Sequence, residues 1–234
     1  MRTHEQVLAW MEAQLDSGAL TVGDRLPGER ALAEQLGVSR TSAREAIRVL
    51  EAMGIVRSGV GSGPAAGTFI TADPASAMGA ALRMHVAAAN LPVADIVRTR
   101  VLLETWAAAN ADPAHPALER AAGLVESMAR PGIAVAEFLR LDTQFHVAIA
   151  ESAGNVLVGA MMSSLRESIE RYANRLTDNL PDWTATSARL LAEHRQVLAA
   201  VRAGQAEEAA GIIRRHIEGY YAEAGMGPGS AGRQ

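Results

Sequence analysis

The stretch GDRLPGERALAEQLGVSRTSAREAIRVLEAMGIV, residues 23–56, reads as two short helices joined by a glycine turn. Ala31, Leu32 and Leu36 share one face of a helix over about residues 28–36, and Gly37 ends it. The next helix opens at Val38-Ser39 and runs to about Met53, with Ser39 as its N-cap and Gly54 as its stop. Upstream, Val7, Leu8, Met11 and Leu15 recur at helical spacing over residues 4–17, followed by Gly18 and a loop containing Gly23, Pro27 and Gly28. Downstream, Ile55-Val56-Arg57 and Thr68-Phe69-Ile70 flank the Gly-rich GVGSGPAAG and read as a β-hairpin. Helix, helix-turn-helix and hairpin, in that order, make a winged helix.

Past Asp73-Pro74 the texture becomes almost wholly helical. Breaks at Asn90-Leu91-Pro92, Asp112-Pro113, Pro131-Gly132, Gly154-Asn155, Pro181 and Gly204 divide it into seven amphipathic segments, as expected of an antiparallel all-α bundle. The expected fold is therefore mostly α. It comprises a winged helix-turn-helix domain with a small β-hairpin over 1–73, a bundle of about seven helices over 74–225, and a disordered tail over 226–234.

Composition agrees with two small cores in a soluble globular chain of 234 residues, with 49% hydrophobic and 21% charged residues. No apolar run reaches the ~18–20 residues that span a bilayer, and the N-terminus carries acids where a signal peptide would be apolar. The absence of cysteine excludes disulfides, thiolate metal sites and a cysteine nucleophile, and it permits a cytoplasmic location. Net charge is −4, and residues 1–72 hold seven Arg against eight acids, so any DNA binding depends on local placement of charge.

That placement occurs in SRTSAREAIRVLE. Arg40, Arg44 and Arg48 recur every four residues along one side of the helix, while Ala43, Ala46, Ile47 and Leu50 form the packing side. Arg40 and Arg44 fall in the first turns, the part of a recognition helix that enters a major groove, where Arg pairs with guanine or with phosphate. Ser39, Thr41 and Ser42 offer hydroxyls and free N–H groups suited to phosphate. The plain alternative is a solvated Arg face, with Glu45 pairing a neighbour. The stretch 23–56 followed by GTFI resembles the winged helix of the GntR family of bacterial regulators. The resemblance implies operator contacts from Arg30, Arg40 and Arg44, with Ser39 and Thr41 on the DNA backbone and Gly67 in the wing. The wing here is longer and richer in Gly and Ala than the family's short basic one.

The helical region carries a second pattern. Asp142 and His146 are four apart and project from one helix face, about 6 Å along the axis. His194 lies ten residues before Gly204 and His216 twelve after it, so a tight hairpin there brings the two level. Three imidazoles and a carboxylate suit Zn²⁺, Ni²⁺ or Mn²⁺, with positions left for water or a ligand oxygen. The plain alternative is four ordinary core or surface groups. Residues 79–225 are similar to the FCD effector domain of the FadR subfamily, through the Asp and His four apart, then Gly-Asn, E-H-R and R-H-I. Members with all four of these Asp and His positions bind a divalent metal, and this chain has all four. The same resemblance picks out Arg100, in R-x-x-L-E with Glu104, to hold an effector carboxylate. Its plain alternative is an ion pair. His4, His85 and His115 fall outside the pattern.

These readings predict a bacterial DNA-binding transcription regulator, expected to be a homodimeric repressor on a palindromic double-stranded operator, answering to a small organic acid bound beside the metal. A metal-dependent hydrolase is the competing reading, but the sequence shows no phosphate loop or nucleophile elbow. A metal-storage bundle leaves the winged helix unexplained.

Overall fold

Gly37 turns the chain between the two helices that decide the N-terminal architecture. It adopts φ +63°, a left-handed conformation that glycine takes without steric cost, and Val38 N–H then closes back onto Ala33 O at 3.0 Å. The computed structural model describes residues 3–59, 66–71, 73–88 and 91–225. The chain divides into two compact units, Met1–Met78 and Gly79–Gln234.

In the first unit α1 spans Thr3–Asp16, α2 Glu29–Leu36 and α3 Arg40–Ala52. Strands β1 (Val56–Gly59) and β2 (Gly67–Ile70) pair antiparallel, with Val56 opposite Ile70 and Gly59 opposite Gly67. Ser39 caps α3, its hydroxyl accepting from Ser42 N–H at 3.0 Å, an arrangement worth ~1 kcal/mol to a helix start. Ala43, Ala46, Ile47 and Leu50 are buried on one side of α3. Ala46 and Ile47 pack with Val7 and Leu32, and Leu50 packs with Met11, Leu26, Val56 and Ile70. The apolar stripe read from the sequence thus fixes which side of α3 faces solvent. The Gly-rich wing loop lies largely outside the described residues, and so does the tail 226–234.

The second region is seven helices among the described residues: α4 (Pro74–Ala87), α5 (Val93–Ala109), α6 (Ala117–Met128), α7 (Val135–Ser152), α8 (Val156–Leu176), α9 (Trp183–Arg202) and α10 (Ala206–Glu223). The division between the two compact units falls within α4. Phe138, Phe145, Ile149, Leu190, Val197, Ile213 and Ile217 belong to one core joining α7, α9 and α10. A smaller core holds Ile96, Val147, Met162 and Ile169. Gly204, at φ +67°, turns α9 back into α10, as its position between the two histidines predicts. No described helix is long and apolar enough to cross a membrane.

Candidate functional site

The Gly204 turn brings the His194 and His216 rings to 4.5 Å between centroids, and α7 presents Asp142 and His146 to them. One ligand atom from each of Asp142, His146, His194 and His216 lies within 4.8 Å of all the others, and all four residues are buried. Asp142 Oδ1 is the hub. It stands 3.0 Å from His194 Nε2, 3.7 Å from His216 Nε2 and 3.8 Å from His146 Nε2.

The far nitrogens of two rings each face a carboxylate. His216 Nδ1 donates to Glu193 Oε2 at 2.8 Å, and His146 Nδ1 lies against Glu104 Oε2. An ionised carboxylate can only accept, so each of these rings carries its proton on Nδ1 and turns a lone pair outward on Nε2. Yet the two Nε2 atoms face each other at 3.1 Å. Two lone pairs at that distance repel unless a proton or a cation lies with them. His194 is fully buried, and neither of its ring nitrogens makes a hydrogen bond. Its Nε2 has the 3.0 Å contact with Asp142 Oδ1, and a buried imidazole with no hydrogen bond at either nitrogen is costly. The donor set fits a divalent cation, which would satisfy all three Nε2 atoms and the Asp142 oxygen at once.

The electrostatics follow from burial. Burial alone would raise the Asp142 carboxyl, but the three histidines outweigh it and hold the group well below the usual carboxylate range. Burial also opposes the Glu104 charge, and Arg100 and His146 reverse that to hold its pKa at about 2. His194 is pushed down to about 4 by burial and by the neighbouring His216, so it stays neutral at ordinary pH. His146 is likewise lowered by burial, with Arg100 adding to the effect. At His216 burial disfavours charge, but Asp142 and Glu193 prevail and raise its pKa.

Arg100 lies at the same centre, 4% exposed. Its Nε donates to Glu104 one turn on, within α5. Its Nη2 is 4.0 Å from Asp142 Oδ2, and it is buried without a hydrogen-bond partner. The ion pair named as the plain alternative is therefore present, and it leaves Nη2 without a hydrogen bond. His115 accepts from Ala117 N–H instead and takes no part in the cluster.

Two acids at the centre had no metal-centre role in the sequence. The sequence pattern pairs Glu104 only with Arg100 and gives Glu193 no role, although it immediately precedes His194 in E-H-R. That adjacency was the available signal. Which helix Glu193 turns toward depends on packing, and a single helix pattern does not specify it.

In the first unit Arg40, Thr41, Arg44 and Arg48 are exposed along α3. Among the described residues none of these three guanidiniums, nor Glu45, makes an ion pair, so the charge is not spent within the fold. Arg30 is exposed and pairs loosely with Glu34 at 3.7 Å. Gly67, at φ +132°, lies under the side chain of Arg25; a Cβ there would come within 2.5 Å of Arg25 Nε. Backbone atoms of Arg25 also bridge to Phe69. Arg25 is thus an exposed cation at the base of the wing that no motif in the sequence picks out.

Comparison with known proteins matches residues 3–65 to the bacterial regulatory proteins of the gntR family and residues 95–219 to the FCD domain. The putative L-lactate dehydrogenase operon regulatory protein of Escherichia coli (strain K12) is 29% identical over 224 residues, covering 92% of this chain and 84% of that one. The HTH-type transcriptional regulator LutR of Bacillus subtilis (strain 168) is 29% identical over 208 residues, covering 87% and 92%. The Uxu operon regulator of Haemophilus influenzae is 27% identical over 237 residues, covering 93% and 80%. Among solved structures, Streptococcus agalactiae GntR shares the fold, with a TM-score of 0.64 at 24% identity over 92% of this chain and 96% of that one. The family and these relatives are transcription regulators, which removes the hydrolase reading. From its recognition helix to its helical domain, the chain belongs to the GntR family of bacterial transcription regulators, with the FCD domain of the FadR subfamily.

Proposed function

We propose that this regulator is a homodimeric repressor whose grip on a palindromic operator is set by a small organic acid bound at a divalent metal. Asp142, His146, His194 and His216 hold the ion, with Zn²⁺, Ni²⁺ and Mn²⁺ the species suited to nitrogen-rich ligation with open positions. The metal supplies a Lewis-acid seat for a carboxylate oxygen. Arg100 supplies the second hold, since its Nη2, which makes no hydrogen bond, suits an anion. One relative is named for an L-lactate dehydrogenase operon, and lactate is a carboxylate of this size class.

The facing Nε2 atoms of His146 and His216, each on a ring whose other nitrogen faces a carboxylate, carry the metal assignment. On the DNA side, Arg40 and Arg44 read the major groove with Arg30 reaching toward it. Ser39 and Thr41 meet phosphate through the start of α3, and Gly67 belongs to the wing. Two copies related by a two-fold axis place two recognition helices one helical turn of DNA apart. An effector that binds one state of the FCD domain better than another shifts operator affinity by the same coupling free energy.

The test loads the protein with metal, screens small carboxylates for a thermal shift, and measures operator binding with each acid that registers. An acid that both stabilises the loaded protein and changes operator affinity supports the reading. Stabilisation without any change in operator affinity would contradict it.

A further inference from the structure

We propose that Glu193 is a positioning residue of the metal centre: from α9 it accepts the Nδ1 proton of His216 on α10 and so holds that ring's Nε2 lone pair on the cluster. The inference rests on the metal reading above and assigns a role to a residue outside the ligand set.

Glu193 and the ligand His194 are neighbours in the chain, but one residue along a helix turns the side chain by about 100°. Glu193 therefore does not serve the ring beside it. It reaches across to the ring of the next helix at 2.8 Å. Its carboxylate is itself held. Arg189, one turn earlier on α9, donates Nη1 to both Glu193 oxygens at 2.9 and 3.0 Å. The same guanidinium donates Nη2 to Glu223 on α10 at 2.7 Å, and Glu223 accepts from the Thr186 hydroxyl at 2.6 Å. A continuous chain of side chains thus runs from Thr186 through Glu223, Arg189 and Glu193 to His216.

The Arg189–Glu223 bridge already ties α9 to α10, so a clamp between the helices does not need the last link. The link to His216 has a different effect. An imidazole without it can exchange tautomers or flip its ring, and either change moves the lone pair away from Asp142 Oδ1. His146 Nδ1 lies against Glu104 Oε2 as an ion-pair contact without a hydrogen bond, and His194 Nδ1 has no hydrogen bond. Among the described residues His216 is therefore the ring held by a hydrogen bond from outside the ligand set, and Glu193 is the acid that holds it. A carboxylate behind a ligating imidazole also increases the ring's donor strength, and losing such a partner typically costs about 10–100-fold in metal affinity.

The experiment uses the full chain with cobalt(II) as the probe. Affinity is measured by competition with a chromophoric chelator, and ring N–H protons are followed as hyperfine-shifted exchangeable signals in the proton spectrum. Glu193→Ala should weaken cobalt binding about 10–100-fold and abolish one such signal. Glu193→Gln, whose amide oxygen can accept the same proton, should restore the signal and most of the affinity. Should the alanine variant not fold, Glu193→Asp keeps the charge but draws the acceptor back by one methylene, and it should bind more weakly than the glutamine variant. Wild-type affinity with every ring N–H signal retained in the alanine or aspartate variant would overturn the proposal, even if the metal-free variant melted earlier. Failure of the wild-type protein to bind cobalt would instead remove the metal reading itself, and the inference with it.

Discussion

His146 Nε2 and His216 Nε2 stand 3.1 Å apart although 70 residues separate them in the chain. Each ring has its other nitrogen on a glutamate, so in the metal-free protein only a proton can relieve the opposed lone pairs. Asp142 and Glu193 raise the pKa of His216, and burial lowers that of His146, so His216 is the ring that favours that proton.

The sign of the pH dependence follows. His216 has a folded pKa above 6.5, so its proton stabilises the metal-free fold fully below about pH 6.5 and that contribution fades as pH rises through the folded value. A metal needs the same lone pair free. Raising the pH from about 6 to about 8 should therefore enlarge the thermal shift produced by saturating metal, while His194, at about 4, stays neutral throughout. Calorimetry in buffers of different ionisation enthalpy should count protons leaving as metal enters. A thermal shift independent of pH, with no proton release, would show that His216 holds no competing proton.

Arg100 must be tested by a conservative change. Arg100→Ala leaves the buried Glu104 carboxylate without its counter-charge, which typically costs about 3–5 kcal/mol and disturbs His146 behind it. Arg100→Lys keeps the charge but loses the planar fork. It should retain metal and most of the stability while losing the thermal response to carboxylates. An unchanged carboxylate response in the lysine variant would show that Arg100 is only a structural ion pair.

On α3, Arg40→Ala and Arg44→Ala should each weaken specific operator binding by ~1–3 kcal/mol and leave the melting temperature within a few degrees of wild type. Both side chains are exposed and without ion-pair partners among the described residues. Equal operator affinity of both variants and wild type at the same salt concentration would show that another surface reads the DNA.

Gly67→Ala should weaken DNA binding through Arg25. The added methyl meets the guanidinium and forces it off the base of the wing, and the left-handed φ adds backbone strain. The effect of Gly67→Ala should shrink when Arg25 is already alanine, as measured in a double-mutant cycle. Strictly additive losses would mean that the glycine acts without the arginine.

Much of this architecture was legible because punctuation and periodicity act locally. Gly37 and Gly54 bound α3, the four-residue spacing of Asp142 and His146 puts them on one helix face, and the nearly equal distances of His194 and His216 from Gly204 place them level across a hairpin. What could not be read was rotational. The outward reach of Glu193 to α10, the contact of Glu104 with His146, and the crossing of Arg25 over Gly67 depend on how one element is turned against another. Short-range pattern does not encode that angle. The role given to Gly67 by family resemblance shows the same limit, since the structure supplies a packing reason for the missing side chain that no motif could express.

Elemental analysis of the full chain, purified without chelator or an immobilised-metal column beside His194→Ala prepared identically, tests the metal centre most simply. His194 is fully buried at the hub, and an ion that binds only the folded state stabilises it by mass action. Wild type should carry about one divalent transition metal per chain and the variant little, and the wild-type melting temperature should fall on chelation and return on adding zinc, nickel or manganese. Less than about a tenth of an equivalent of any such metal in wild type, with no thermal shift on adding all three, would contradict a metal centre here.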